Sequence, residues 1–164
     1  MREEIISLLK SNFPESIPNI FSEGKGIIFI AKKEEFYQIL SRLKEEGFDH
    51  LSDITVVDYI DEGEFELIYH LWSHQKKLRA IMKVRILRGS PRIKSIFELW
   101  TGAQPHEREN HELFGIKFEG NPNLSELFLE DWEEIPPFRK DFDTRKYVKE
   151  KYYLEEEEYP VEKG

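Results

Sequence analysis

Apolar positions recur along the chain with two periods, and the period changes near residue 50. Before that point, residues 2–12 and 34–46 carry apolar side chains at helical spacing, and the apolar run 26–31 between them is typical of a buried strand. After it, residues 53–60, 65–72 and 78–87 are rich in β-branched or alternating apolar side chains and are joined by short polar turns. This succession predicts an α+β fold, in which an antiparallel-rich mixed sheet has helices packed on one face.

The second half of the chain contains one further helical pattern. Residues 95–100 fit a short helix or strand. Pro105 suits the first turn of a helix that runs to about Phe114, and Gly115 follows as its stop. We therefore predict a helix over this stretch.

Regular patterning fades in the last part of the chain. Pro136 and Pro137 favour an extended backbone, and the residues after them are mainly charged and aromatic. We expect one α+β domain over residues 1–142 and a charged, extended C-terminal tail over residues 143–164.

Composition removes several classes of function. The chain has 24 Lys and Arg against 33 Asp and Glu, a net charge of −9, which argues against general nucleic-acid binding. It has no cysteine, so thiol catalysis, Cys-ligated zinc and Cys-ligated iron–sulfur clusters are excluded. No apolar run reaches the length of about 18 residues that a membrane helix needs. The enrichment in Glu and Lys is the trend of hyperthermophile proteomes.

The histidines are the first place to look for a metal. His106, Glu107 and His111 resemble the zinc-protease signature, and a freestanding metal hydrolase is the enzyme hypothesis that they allow. That signature needs its second histidine four positions on, whereas His111 is five positions on, so the two rings point about 140° apart on a helix. We therefore expect no metal ligand, no cofactor ligand and no catalytic residue in this chain.

Two charged clusters can each be interpreted either as an ordinary solvated surface or as a functional contact. Glu107, Arg108, Glu109 and Glu112 lie on one predicted helix, where they form either a solvated face or an ionic network at a subunit contact. The second cluster, 139–141, follows the stiff Pro pair and is either an ordinary surface loop or a segment that grips a partner. A third possibility is an unrelated module whose acidic face binds a basic partner.

The same two clusters carry a resemblance to a known family. The first block consists of Glu107-Arg108-Glu109, Glu112-Leu113-Phe114-Gly115-Ile116 and Phe118-Glu119-Gly120, and it is similar to the pattern E-R-E-x-x-D-[LM]-F-G-I-x-F-x-G. The second block, Pro136-Pro137-Phe138-Arg139-Lys140-Asp141, is similar to H-P-L-R-K-D. Together they resemble the 30-kDa subunit of respiratory complex I and its counterpart in energy-converting membrane-bound hydrogenases.

The resemblance implies a subunit without a cofactor of its own, on the cytoplasmic side of the cell membrane. Its implied partners are a large subunit related to the [NiFe] hydrogenase catalytic subunit and the iron–sulfur subunits of the same arm, and it would meet the membrane arm only indirectly. Iron–sulfur clusters, and a [NiFe] centre in the hydrogenase case, would then belong to other chains. The implied partner-interface residues are Glu107, Arg108, Glu109, Glu112, Phe114, Gly115, Pro136, Pro137, Arg139, Lys140 and Asp141.

Departures from the family pattern influence the choice of parent complex. Glu112 stands where the family usually has Asp, and residues 121–126 lack the two arginines of many quinone-linked members. Together with the composition, these departures favour an archaeal membrane-bound hydrogenase or a related ion-pumping complex. The alternative is the 30-kDa-type subunit of an NADH-, ferredoxin- or F420-quinone oxidoreductase of the complex I type.

Overall fold

The computed structural model describes residues 1–152, which contain four helices and seven strands. The elements are α1 (Arg2–Asn12), β1 (Ile20–Glu23), β2 (Gly26–Ala31), α2 (Phe36–Glu45), β3 (His50–Tyr59), β4 (Glu64–Ser73), β5 (Leu78–Leu87), β6 (Arg92–Lys94), α3 (Ala103–Phe114), β7 (Lys117–Glu119) and α4 (Thr144–Tyr152). The predicted α+β class is confirmed.

The main sheet has five strands in the order β1-β2-β5-β4-β3. Strands β3, β4 and β5 form the predicted antiparallel meander, and β2 joins β5 in parallel, so the sheet is mixed. Strand β1, which the sequence did not predict, pairs antiparallel with β2 across a short turn. Its four residues are too few for a period to be recognised.

The core lies on one face of this sheet. Alternate residues of β4 (Phe65, Leu67, Tyr69 and Leu71) are completely buried there, as their period of two predicts. Helix α2 covers them with its apolar stripe, and the ring of Phe36 lies 6.1 Å from that of Tyr69. Helices α1 and α3 bury their own apolar residues in the same cluster.

Helix α3 ends where the sequence predicts it should. Gly115 adopts a left-handed conformation with φ of 75°, and its N–H donates to the carbonyl of His111 at 2.8 Å. A residue with a Cβ is strained in that conformation. A Cβ here would also lie 3.0 Å from Cγ of Pro136, so the glycine allows a later segment to pack against the helix end.

The C-terminal region differs from the expected extended tail. Residues 144–152 form α4, and Asp143 caps it by accepting the backbone N–H groups of Arg145 and Lys146 at 3.0 Å each. The Tyr147 ring packs at 5.1 Å from Trp132, which gives the short helix a tertiary contact. The rest of the predicted tail, residues 153–164, lies outside the described residues.

Candidate partner interface

Helix α3 grips the loop that follows it through two side chains one turn apart. Arg108 donates to the carbonyl oxygens of Ser125, at 2.7 Å, and of Glu126. The Glu112 carboxylate accepts the backbone N–H groups of residues 127, 128 and 129 at 2.7, 3.0 and 3.2 Å. Arg108 and Glu112 therefore fix the backbone of residues 125–129, the second half of a loop over residues 121–129 that we call the clamped loop.

Electrostatics supports this role for Glu112. Burial alone would raise the pKa of the Glu112 carboxyl, but the three N–H donors and the nearby Arg108 guanidinium outweigh it and hold the pKa below its usual value. The carboxylate is thus the form that the loop backbone stabilises. Charge-assisted bonds of this kind are about twice as strong as neutral ones.

Glu107 has a different surrounding, because it is completely buried inside the chain. Its carboxylate accepts the Ser95 hydroxyl at 2.6 Å, the Ile96 N–H at 2.8 Å and the Asn121 amide at 2.7 Å. Burial raises the pKa of Glu107, and these three hydrogen bonds offset part of that effect. The side chain joins the segment before α3 to the clamped loop after it.

The direct partner contact expected for Glu107 is therefore wrong for this fold, since the side chain has no accessible surface from which to make one. The sequence placed it on a charged helix face, but the segment 95–96 and Asn121 cover that part of the helix. Glu109, two positions on, is half-buried, and its side chain takes part in no hydrogen bond or ion pair within residues 1–152. Of the two acids in the E-R-E block, only Glu109 is available to a partner.

The second family block packs directly against the end of the first. The N–H of Phe138 donates to the carbonyl of Leu113 at 3.0 Å, and the Phe138 ring meets that of Phe114 edge-on at 5.8 Å. Phe114 in turn contacts Phe65 of the core at 6.0 Å. Residues 136–141, which we call the docking segment, are thus joined to α3 through Phe114, with Pro136 seated over Gly115.

An acidic residue of the sheet anchors the other end of the docking segment. Asp58 is buried and accepts Nε of Arg88 at 2.9 Å and the backbone N–H of Lys140 at 2.8 Å. Arg88 also reaches Asp141 at 2.6 Å and, through that contact, lowers the pKa of the Asp141 carboxyl. Asp141 is therefore paired with Arg88 at the surface, and Lys140 contributes its backbone here.

Arg139 lies beside this network with hydrogen-bonding capacity to spare. Its guanidinium sits 5.5 Å from the centre of the Phe65 ring, and Nε comes within 3.5 Å of Asp141 without forming a hydrogen bond. The side chain is 19% exposed. Since Nε is buried, a carboxylate of another chain could meet only the exposed end of the Arg139 guanidinium.

The structure brings the two family blocks into a single unit, and it reveals residues that sequence reasoning missed as members of it. These are Asp58, Arg88, Ser95 and Asn121. For Asp58 a signal was available, because it continues the inward positions of β3 after Ile54 and Val56, where an apolar residue is the rule. The other three depend on contacts between distant segments, which leave no local pattern.

The metal-hydrolase hypothesis finds no support in the geometry. Nδ1 of His106 is 3.3 Å from Asp53, Nδ1 of His111 is 2.8 Å from the carbonyl of Ile116, and Glu107 is enclosed elsewhere. Among residues 1–152, no three His, Cys, Asp or Glu side chains are grouped to hold a metal ion. No helix in the same range is long and apolar enough to cross a membrane.

Comparisons with known proteins match the part of the chain that contains this unit. Residues 29–148 match the family model described as respiratory-chain NADH dehydrogenase, 30-kDa subunit. The chain is 33% identical to a subunit of the NADH-quinone oxidoreductase of Moorella thermoacetica over 138 residues, which cover 80% of this chain and 93% of that protein. It is 34% identical to a subunit of the F420H2 dehydrogenase of Methanosarcina mazei over 146 residues, or 85% and 90% of the two chains.

A solved structure extends the agreement to nearly the whole chain. A chain of the membrane-bound sulfane sulfur reductase, an archaeal respiratory membrane complex, superposes with a TM-score of 0.84 at 30% identity. The match covers 99% of this chain and 98% of that one. The family model covers both blocks and the strands β3, β4 and β5, and the resemblance inferred from the motifs is confirmed: the chain belongs to the family of the 30-kDa subunit of respiratory-chain NADH dehydrogenase.

Proposed function

We propose that this chain is a non-catalytic assembly subunit in the hydrophilic arm of a membrane-bound, ion-pumping redox complex. The observation that carries the proposal is the use made of the family blocks. Arg108, Glu112 and Asp58 all hydrogen-bond backbone groups of the clamped loop or the docking segment, and Asp58 also pairs with Arg88. Such contacts hold a surface in a fixed shape, as an assembly subunit requires.

The proposed partner is a large subunit related to the catalytic subunit of [NiFe] hydrogenases, with iron–sulfur subunits nearby. The side chains offered to it are Glu109, Arg139 and the exposed Phe138, which lie on or beside the unit formed by the two blocks. Cofactors would belong to these partners. The chain itself would lie on the cytoplasmic side and reach the membrane only through them.

For the parent complex we favour an archaeal membrane-bound hydrogenase or a related complex. The structural match to a subunit of the archaeal sulfane sulfur reductase complex, over almost the full length of both chains, supports the related-complex branch. A second candidate is the 30-kDa-type subunit of an NADH-, ferredoxin- or F420-quinone oxidoreductase. Its support is the names of relatives that are 33% and 34% identical.

The test is purification of the tagged chain from detergent-solubilised native membranes, followed by identification of the subunits and assay of nickel and iron. A stoichiometric large subunit with nickel and iron supports the hydrogenase assignment. If the purified complex contains iron but no nickel, the assembly role still holds and the parent complex is assigned to the sulfur- or quinone-linked type. A chain that purifies alone overturns the proposal.

A further inference from the structure

The clamped loop leads into a stretch that combines exposed apolar side chains with unneutralised negative charge. Phe128 is 64% exposed and Ile135 is 43% exposed, although both are large apolar residues. Between residues 126 and 135 the chain has five acids, Glu126, Glu130, Asp131, Glu133 and Glu134, and no Lys, Arg or His. We call residues 126–135 the acidic segment.

None of those five carboxylates is hydrogen-bonded or within ion-pair distance of a cation in the part of the chain that the structure describes. Lys151 interacts with Glu134 at longer range. Arg108 contacts backbone carbonyls here and leaves the carboxylates alone. Within the described chain, the segment therefore carries five unpaired acids in the same stretch as its exposed apolar side chains.

The segment is also held rigid at both ends. Glu112 accepts the N–H groups on either side of Phe128 as well as its own, so the backbone that carries the ring is fixed before any partner binds. At the other end the Trp132 indole donates to the carbonyl of Ile135 at 3.1 Å and packs against Phe142 at 5.5 Å. An aromatic side chain on an already fixed backbone leaves less chain to be ordered on binding, which suits an anchor.

We propose that the acidic segment inserts Phe128 into an apolar pocket rimmed by Lys and Arg on a partner subunit. The inference rests on the proposed function only in placing that pocket within the parent complex. Charge decides among the possible occupants. A second copy of this chain would bring the same acids against the segment, and an anionic membrane would repel them. The chain's own residues 153–164 contain five Glu against one Lys, so they are also mainly negative. Like charge therefore disfavours all three, and a basic partner surface is favoured.

Photo-cross-linking in the assembled complex tests the proposal. The tagged chain carries a benzoylphenylalanine at position 128, is expressed in its native host and is irradiated in membranes before purification and mass spectrometry. We expect one adduct, on an apolar stretch of a partner subunit that has Lys or Arg close by. The matched control carries the same group at Phe21, which is 62% exposed on β1, and should not label that stretch.

The outcomes separate this inference from the proposed function. If wild-type chain brings down no redox subunit, the proposed function fails. If the complex assembles but position 128 labels lipid, a second copy, the chain's own tail or nothing, the pocket is wrong while the assembly role stands. As a second measurement, Phe128→Ala should lower partner affinity about ten-fold, as truncation of an interface anchor does. Unchanged affinity would overturn the anchor role.

Discussion

The carboxylate of Asp58 accepts the backbone N–H of Lys140 at 2.8 Å, a contact that joins the sheet to the docking segment across 82 positions of sequence. The same carboxylate holds Arg88, which reaches on to Asp141. One buried acid thus fixes both the backbone and a charged side chain of the segment that carries Arg139. The docking segment is therefore held by the sheet as well as by α3.

Replacing that acid should release the docking segment. Asp58→Asn removes the charge that faces Arg88 in a buried site, and we expect the free energy of unfolding to fall by about 3 kcal/mol. Urea denaturation measures the loss, and limited proteolysis near residue 140 should become faster. Asp61→Asn, in the exposed turn after β3, is the control and should change stability by less than about 0.5 kcal/mol. A similar loss in both variants would contradict the anchor role.

Glu107 should make stability depend on pH in an unusual direction for a carboxyl group. Burial raises its pKa above the ordinary value of 4.5, so the folded chain binds this proton more tightly than the unfolded chain. Its contribution to stability is full below pH 4.5 and is lost as pH rises through the raised pKa. In Glu107→Gln, which does not titrate, this contribution is absent.

The measurement is the unfolding free energy of both proteins by urea titration across that pH range. The variant should be less stable by about 1–3 kcal/mol at the acid end, because protonated Glu107 brings one hydrogen to a site lined by donors whereas the Gln amide brings two. The advantage of wild type should shrink as pH rises. An advantage that grows with pH would show that the pKa of Glu107 is lowered in the fold.

Glu112 should have the opposite pH dependence. Its pKa is held below 4.5, so its stabilising effect is present above that value and is lost as pH falls through the lowered pKa. The amides of residues 127–129 should then lose protection from hydrogen exchange, after correction for the intrinsic rate. At neutral pH, Glu112→Ala should raise their exchange about ten-fold, the effect of losing one charged hydrogen bond. Glu109→Ala is the matched control and should leave them unchanged.

Tyr69 offers a stabilising substitution. Its hydroxyl is completely buried and has no hydrogen-bond partner, and burial raises its pKa well above 10.0. Tyr69→Phe keeps the ring packed against Phe36 and removes the unsatisfied group, so we expect stability to rise by about 1 kcal/mol. Tyr37→Phe is the contrast, because the Tyr37 hydroxyl donates to Glu98 at 3.1 Å at the surface. A loss of stability in Tyr69→Phe would mean that the hydroxyl has a partner in solution.

Elements with a local cause could be predicted from the sequence, and contacts between distant segments could not. The α3 end at Gly115 and the β3–β5 meander follow from capping and periodicity, which short windows of sequence record. Strands β6 and β7 have three residues each and exist because they pair with one another, so no period reveals them. The N-cap at Asp143 was a local signal for α4, but the charged and aromatic composition after it suggested an extended chain.

The candidate site shows the same division. The resemblance assigned all the motif residues to an interface, and a helical wheel does not show which side of α3 another segment covers. The clamped loop turns Arg108 and Glu112 towards its backbone, and the segment before α3 encloses Glu107. Only the folded chain separates these internal positions from Glu109 and Arg139, which stay available to a partner.

Arg139 is the residue through which the proposed interface can be tested most directly. Arg139→Ala removes a partly exposed guanidinium from the docking segment, so partner association should weaken while the domain stays folded. The lost stacking on Phe65 should cost about 0.5–1 kcal/mol of stability, and Arg88 remains 5.7 Å from the centre of that ring. The measurement is the amount of large subunit that co-purifies at rising salt, alongside urea denaturation of the chain alone.

Arg145→Ala removes an equal charge from the exposed start of α4 and should keep the large subunit bound. Arg139→Lys should fall between the two, since it keeps the charge and loses the planar fork. Equal retention by all three variants would show that Arg139 does not contact the partner.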